Sequence, residues 1–415
     1  MIRTISDQMN VSFRHAFVLA LAGLVLVLAA AGAPVHAADP TFERWVDGLW
    51  PEARRNRISR KTFERAFRGV TPDQEVIEKA EHQPEFAKPV WKYLESAVSP
   101  KRIENGRKML RAHGPLLAEI EDRYGVDKHI VLAIWGMETS YGAFLGDKSL
   151  IRSLATLGYT GSRQAYGRSQ LLAALQILER GDITPDRMSS SWAGAMGHTQ
   201  FIPTTYASYA VDYNGDGRRN IWESIPDALA STANYLKVSK WRTGETWGYE
   251  VDLPRNFNYE LTGRSTIKTL QEWEGLGVRR VKGKAFPRPG DSASIVLPAG
   301  AKGPAFAILS NFRSILRYNN AISYALAVGH LADRIQGFNT DGFTKPWPVE
   351  YLPLARSQRY ELQKLLAARG FLRSEVDGIL GSGTRAAVRA YQKAHGMEVD
   401  GYPSVVVLKH LQRGS

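Results

Sequence analysis

The chain has 415 residues, 44% of them hydrophobic and 10% aromatic, which is too much apolar material for a disordered chain and too long for one ordinary domain, so two or more globular units are expected. Its net charge of +13 suits an acidic polymer as partner. The absence of cysteine excludes both a disulfide framework and a lipid-modified N-terminal cysteine.

Residues 1–37 read as a secretory signal peptide: Arg3 and Arg14 precede the apolar run AFVLALAGLVLVLAAAGA, and small residues at Val35 and Ala37 set the cleavage point. The alternative is an uncleaved anchor helix, because the run approaches the length that spans a bilayer. Export places the protein in the periplasm and argues against nucleic acid as the acidic partner. Cell-wall polymer or an anionic membrane surface fits better.

Residues 40–240 carry mostly helical periodicity, with capping signals such as TPDQEVIEKA from Thr71. From Trp241 to about Leu309 the texture changes to alternating segments broken by Gly and Pro, which predicts a small β-containing insertion. The helical stretch NFRSILRYNNAISYALAVGHLADRI follows, to about 336. Residues 337–353, rich in Gly and Pro and without periodicity, read as a linker, and a small separate domain is expected over 354–415. That tail contains a weak internal echo. Val-Asp-Gly stands before a helical segment at both Asp377-Gly378 and Asp400-Gly401.

The sharpest feature is IWGMETSYG, residues 134–142. Helical spacing from Ile130 passes through Ile134 to Glu138 and then Tyr141, which puts a carboxylate on an apolar stripe. Desolvation raises the pKa of such a group, so it can hold a proton near neutral pH and donate it, as a general acid in glycosidic cleavage must. A structural glutamate paired with an arginine, or capping backbone, is the alternative on these residues alone.

Four motifs then occur in register: GMETSYG at 136–142, SWAGAMGHTQFIPTTY at 191–206, DYNGDGRRNIWE at 212–223 and RYNNAISYALAV at 317–328. Over roughly residues 40–335 the chain resembles the type B lytic murein transglycosylases, glycoside hydrolase family 103. The resemblance implies a mainly α (α+β) protein with a lysozyme-like helical catalytic core over 38–336. It also implies cleavage of the β-1,4 bond between N-acetylmuramic acid and N-acetylglucosamine in peptidoglycan. Glu138 is then the single acid/base, protonating the glycosidic oxygen and deprotonating the C6 hydroxyl to close a 1,6-anhydro ring. By the same resemblance Ser191 holds the substrate N-acetyl group. Gln200, Phe201, Tyr235, Tyr318, Asn319 and Tyr324 are cleft residues, and Tyr93 and Arg163 are further contacts. The family has a pair of arginines where this chain reads Arg163-Gln164.

Asp212, Asn214 and Asp216 offer oxygen donors at alternate positions, followed by Gly217, with the Arg218 carbonyl next: the start of an EF-hand-like loop. Glu223 would close an ordinary loop of this kind, whereas the resemblance implies a later acid, Asp227. A calcium ion held here would be structural, and no cofactor is required for the chemistry. A plain Asn/Asp/Gly-rich turn that binds nothing is the alternative.

The tail over about 357–411 resembles the small three-helix peptidoglycan-binding module, which raises the local concentration of an attached enzyme on an insoluble polymer. The expected protein is a monomer acting on peptidoglycan glycan strands, with wall-synthesis proteins as potential partners. Two rivals stand beside it: a hydrolytic muramidase, which would need a second carboxylate to activate or replace water, and a non-catalytic wall-binding scaffold.

Overall fold

The computed structural model describes residues 40–82, 88–350 and 352–414. The signal segment, and with it the anchor alternative, lies outside the described residues. Among the described residues no helix is long and apolar enough to cross a membrane.

Among the described residues eleven α-helices precede the sheet: α1 (Pro40–Arg55), α2 (Arg60–Phe67), α3 (Gln74–Glu81), α4 (Val90–Ala97), α5 (Pro100–Ala112), α6 (Gly114–Tyr124), α7 (Lys128–Thr139), α8 (Leu150–Tyr159), α9 (Gln164–Arg180), α10 (Pro203–Tyr209) and α11 (Ile225–Val238). A short ribbon, β1 (Lys148–Ser149) with β2 (Ser189–Ser190), lies among them. The start of α3 follows its capping chemistry, and the cap falls on Asp73, whose side chain accepts from the N–H groups of Glu75 and Val76. Helix α7 is apolar on all sides, with Ile130 through Gly136 buried, which is the pattern of a central helix rather than a surface one. Helices α8 and α9 pack so closely that a Cβ on Gly167 would overlap the backbone of Leu157 and Gly158.

The chain next forms β3 (Gly248–Asp252), β4 (Lys268–Thr269), α12 (Leu270–Gly275), β5 (Arg279–Arg280), β6 (Ser292–Val296) and β7 (Ala305–Ile308). The five strands make one antiparallel sheet in the order β4-β6-β7-β3-β5. Its own core is built on Trp273, fully buried, with the indole N–H donating to the Ala293 carbonyl at 3.0 Å. Trp247, Phe306 and Ile308 instead join the core of α7 and two following helices, α13 (Ser310–Tyr318) and α14 (Ile322–Gln336). Gly329 on α14 makes room for this, since a Cβ there would lie 2.5 Å from the Trp247 ring.

Residues 337–350 have no helix or strand of their own, yet they are docked rather than free. Phe343 packs on Phe306 and His330, with ring centroids 4.9 and 4.4 Å apart. The Glu250 carboxylate accepts from the N–H groups of Thr344 and Lys345 at 2.7 and 2.8 Å. The tail is three helices, α15 (Arg356–Ala368), α16 (Ser382–Ala394) and α17 (Val405–Arg413). The internal echo has a structural basis. Buried Gln363 accepts from Gly378 N–H at 2.7 Å and donates to Asp377 at 3.0 Å. Buried Gln392 does the same with Gly401 N–H and Asp400, both at 2.8 Å. Asp400 also accepts from Ala301 N–H at 3.0 Å through its other oxygen, and Lys393 pairs with Glu260 at 3.0 Å. Gly300, at φ +72°, permits the close approach of Asp400 and Tyr402.

Candidate active site

Glu138 sits in the last turn of α7. The helix stops at Thr139 because Ser140 takes the left-handed conformation as its C-cap, and Tyr141 and Gly142 remain left-handed at φ 63° and 87°. Tyr141 therefore does not continue the helical stripe beyond Glu138, which corrects the reading from spacing. It folds back beneath the helix, its ring against Trp135 and its hydroxyl donating to the Arg102 carbonyl at 2.9 Å. Gly136 and Gly106 leave the space it fills. Gly142 is needed both for its backbone and because a Cβ would strike the His198 ring.

The opposite wall is the irregular segment 189–201. Bridges from Ser190 to Met196 and from Met196 to Phe201 fold it on itself. Ser191 N–H donates to the Ala195 carbonyl at 2.8 Å, and its hydroxyl accepts from Ala195 N–H at 3.1 Å. Gln200 adopts φ 50° and its amide donates to the Gly197 and Leu145 carbonyls at 3.0 and 3.3 Å. Trp135 anchors the segment to α7, its indole N–H donating to His198 Nδ1 at 3.0 Å. Burial holds the His198 imidazole at a pKa of about 4, so it stays neutral and can accept.

Phe201 carries this wall to a cluster of tyrosines. Its ring lies 5.7 Å from both Tyr235 and Tyr318, which are 4.9 Å apart. Tyr318, the last residue of α13, donates to the Thr199 carbonyl at 2.6 Å, and Tyr235 on α11 to the Arg317 carbonyl at 2.5 Å. Asn319 follows as the exposed C-cap of α13. Tyr324, buried in the first turn of α14, donates to Glu138 Oε1 at 2.5 Å.

Burial raises the Glu138 carboxyl to about 7, and the Tyr324 hydrogen bond only partly opposes that. Among the described residues no cation and no second carboxylate contributes to the shift. Burial is also the main reason that the hydroxyls of Tyr93, Tyr318 and Tyr324 are harder to ionise, and in each the neighbouring Glu138 charge adds to it. The structure thus brings together Glu138, Tyr93, Tyr318 and Tyr324, with Phe201, Tyr235 and Gln200 adjoining. Arg163 sets its guanidinium over the rings of Tyr166 and Trp192. The Trp135–His198 contact was not singled out in the sequence, and Tyr141 was read there as part of the stripe, not as a residue that folds back. The one signal for the latter is Gly at both 136 and 142.

The Asp212–Asp227 loop is a separate network. Asp212 accepts from Gly215 and Gly217 N–H, both at 2.8 Å, and Asp216 from Arg218 N–H at 2.9 Å. Asp227, fully buried, accepts from Tyr213, Asn214 and Asn220 N–H at 2.9, 3.3 and 2.9 Å. Asp227 is therefore the acid that reaches back to the loop, whereas Glu223 pairs with Arg187 and Asn220. The donors are the oxygens a hard cation prefers. As arranged, however, they are taken up by amide N–H groups, and among the described residues no three acidic, His or Cys side chains gather closely enough to hold a metal.

A helical core that presents one desolvated acid at the end of a buried helix, walled by tyrosines and a glycine-rich loop, is a lysozyme-like glycan-cleaving architecture. Residues 41–333 match the family described as transglycosylase SLT domain, and 355–411 the putative peptidoglycan binding domain. The chain belongs to the lytic transglycosylases, of the B type. It is 30% identical over 251 residues to the membrane-bound lytic murein transglycosylase B of Escherichia coli strain K12, a match covering 59% of this chain and 66% of that relative. SltB3 from Pseudomonas aeruginosa, solved in complex with NAG-anhNAM-pentapeptide, is 52% identical with a TM-score of 0.88, covering 90% of this chain and all of that one. The Escherichia coli lytic transglycosylase Slt35, solved in complex with calcium, is 25% identical with a TM-score of 0.60 over 72% of this chain and 93% of that one.

Proposed function

We propose that the protein cleaves peptidoglycan glycan strands between N-acetylmuramic acid and N-acetylglucosamine, leaving 1,6-anhydro-N-acetylmuramic acid ends, with Glu138 as the single acid/base. The observation that carries this reading is the isolation of Glu138. A carboxyl raised to about 7 keeps much of its proton at neutral pH and can give it to the glycosidic oxygen. Among the described residues no second carboxylate perturbs it, and an inverting or retaining hydrolase would need one to activate or replace water. The substrate's own C6 hydroxyl serves instead: the ionised Glu138 takes its proton, the oxygen attacks the anomeric carbon, and the ring closes. The N-acetyl group, held by Ser191, supports the oxocarbenium-like centre.

Gln200, Phe201, Tyr235, Tyr318, Asn319 and Tyr93 line the cleft and Arg163 its margin. Tyr324 orients the acid. The protein works in the periplasm after export. The loop closed by Asp227 acts as a structural brace, and a calcium ion held there by Asp212, Asn214, Asp216 and the Arg218 carbonyl would be structural; the C-terminal module holds the enzyme on the polymer.

The test is mass spectrometry of muropeptides released from purified sacculi by residues 38–415, beside Glu138→Gln. Products one water lighter than hydrolysed muropeptides, absent with the variant, support the reading. Reducing-end products would make the protein a muramidase, and no product from the unaltered protein would leave a wall-binding role.

A further inference from the structure

A cavity of about 640 Å³ lies where the C-terminal module meets the catalytic domain. Its charged lining is Lys88, Arg264, Arg385 and Arg389 against the single acid Asp400. That acid is already satisfied, through Gln392 and Tyr402 N–H on one oxygen and Ala301 N–H on the other. Arg385 and Arg389 make no ion pair within 4 Å among the described residues; burial and the neighbouring Arg389 charge lower the proton affinity of the Arg385 guanidinium, and Tyr402 and Asp400 oppose that only in part. Arg264 spends one N–H on the Asn320 carboxamide oxygen at 2.8 Å. Partly buried guanidiniums left unpaired at a cavity wall are costly unless an anion joins them. Helix α16, thirteen residues long, begins in the same cavity with Gly381 and Ser382 and has no side-chain cap, so its free N–H groups add to the positive field.

The cavity is also tied to the cleft by one stretch of backbone. Asn320, Ile322 and Ser323 line it, Asn319 precedes them and Tyr324, the next residue, holds Glu138. Successive residues of a helix rise about 1.5 Å each, so the cavity and the acid lie on two sides of a single turn. The remaining lining is mixed: aliphatic Val296, Leu297 and Leu380 beside the hydroxyls of Thr262, Ser323 and Ser382, with Tyr402 as its one aromatic ring among the described residues. A neutral sugar ring leaves this excess of cationic side chains unmatched, whereas a small chain ending in a carboxylate meets both the guanidiniums and the aliphatic wall. From these features we infer that the junction cavity is a subsite for a carboxylate of the peptide carried by the glycan, with Arg385, Arg389 and Arg264 as its ligands. The inference rests on the proposed action on peptidoglycan and extends it to the peptide.

The first test is independent of catalysis. The chain 38–415 is titrated with diacetyl-L-Lys-D-Ala-D-Ala and with its C-terminal amide, using calorimetry. The acid should bind about tenfold more tightly, and Arg385→Gln with Arg389→Gln should abolish the difference. Equal binding of acid and amide overturns the inference, and so does equal competition by acetate, which would mark a general anion site. The second test compares KM on peptide-bearing glycan and on glycan stripped of peptide. The double variant should raise KM about tenfold on the first and leave the second unchanged. A matching loss on both overturns the subsite. Absence of anhydro product from the unaltered protein on either glycan strikes the proposed function instead, leaving the binding result to stand by itself. Arg264→Gln, at the opposite wall, gives the same pattern if the double variant fails to fold.

Discussion

Replacing Glu138 by glutamine should remove activity and yet stabilise the fold, in a pH-dependent way. The carboxyl lies at about 7 in the folded protein against an ordinary 4.5. At about 1.4 kcal/mol per pKa unit, holding it ionised costs at most about 3–4 kcal/mol. Because the residue is only partly buried and borders an open cleft, about 1–2 kcal/mol is the realistic share. The sign follows from proton binding. Below pH 4.5 both folded and unfolded chains carry the proton and nothing is lost. Between 4.5 and 7 the unfolded chain releases it while the folded chain keeps it, so stability falls as pH rises, and above 7 the loss is complete. Glutamine, which never ionises and still accepts from Tyr324, avoids that loss. Thermal unfolding of the two proteins at pH 5 and pH 8 should show the variant gaining roughly 1–3 °C at the higher pH relative to the lower. An unchanged gap between the two pH values would mean that Glu138 is well solvated, and the argument for it as a proton donor near neutrality would fall with it.

Tyr324→Phe removes the one hydrogen bond that favours ionised Glu138, so the fall of muropeptide release with rising pH should move to higher pH, with a loss of about tenfold in kcat from the less ordered acid; a pH–rate profile reads both. Gly136→Ala would normally strengthen a helix by about 1 kcal/mol. Here the methyl would meet the Tyr141 ring at 2.5 Å, so urea unfolding should show a loss of roughly 1–3 kcal/mol, and a gain would refute the packing. Asp227→Ala leaves three backbone N–H groups without their acceptor and should cost roughly 2–4 kcal/mol, with or without calcium. An equal drop in stability on adding EGTA to the unaltered protein would show that the loop depends on a metal after all.

The helical body, the sheet and the small helical tail were legible because each has its own texture: apolar spacing in α7 and α14, alternation in β6 and β7, and repeated Asp-Gly turns in the tail. The desolvation of Glu138 was legible because a carboxylate on an apolar helix stands out. Tyr141 was misread for a local reason. Helical spacing carries no marker for a left-handed exit, and Ser140 and Tyr141 are not residue types that announce positive φ. Residues 337–353 offered only composition, which cannot show that Phe343 and Trp347 would find a surface to cover. The competition between Glu223 and Asp227 was likewise beyond spacing, since burial at the start of α11 settles which carboxylate turns inward.

Asp400 addresses two parts of the protein with one side chain. One oxygen closes the module's own turn, in the same manner as Asp377 in the preceding repeat, and the other reaches the catalytic domain at Ala301. Attachment therefore borrows an atom that the turn does not use. A module with this turn keeps its fold whether or not that second oxygen has a partner, because water can take the place of Ala301. The same building block can ride loosely on one carrier and sit firmly on another, and what differs is the glycine at 300 that lets the backbone come near.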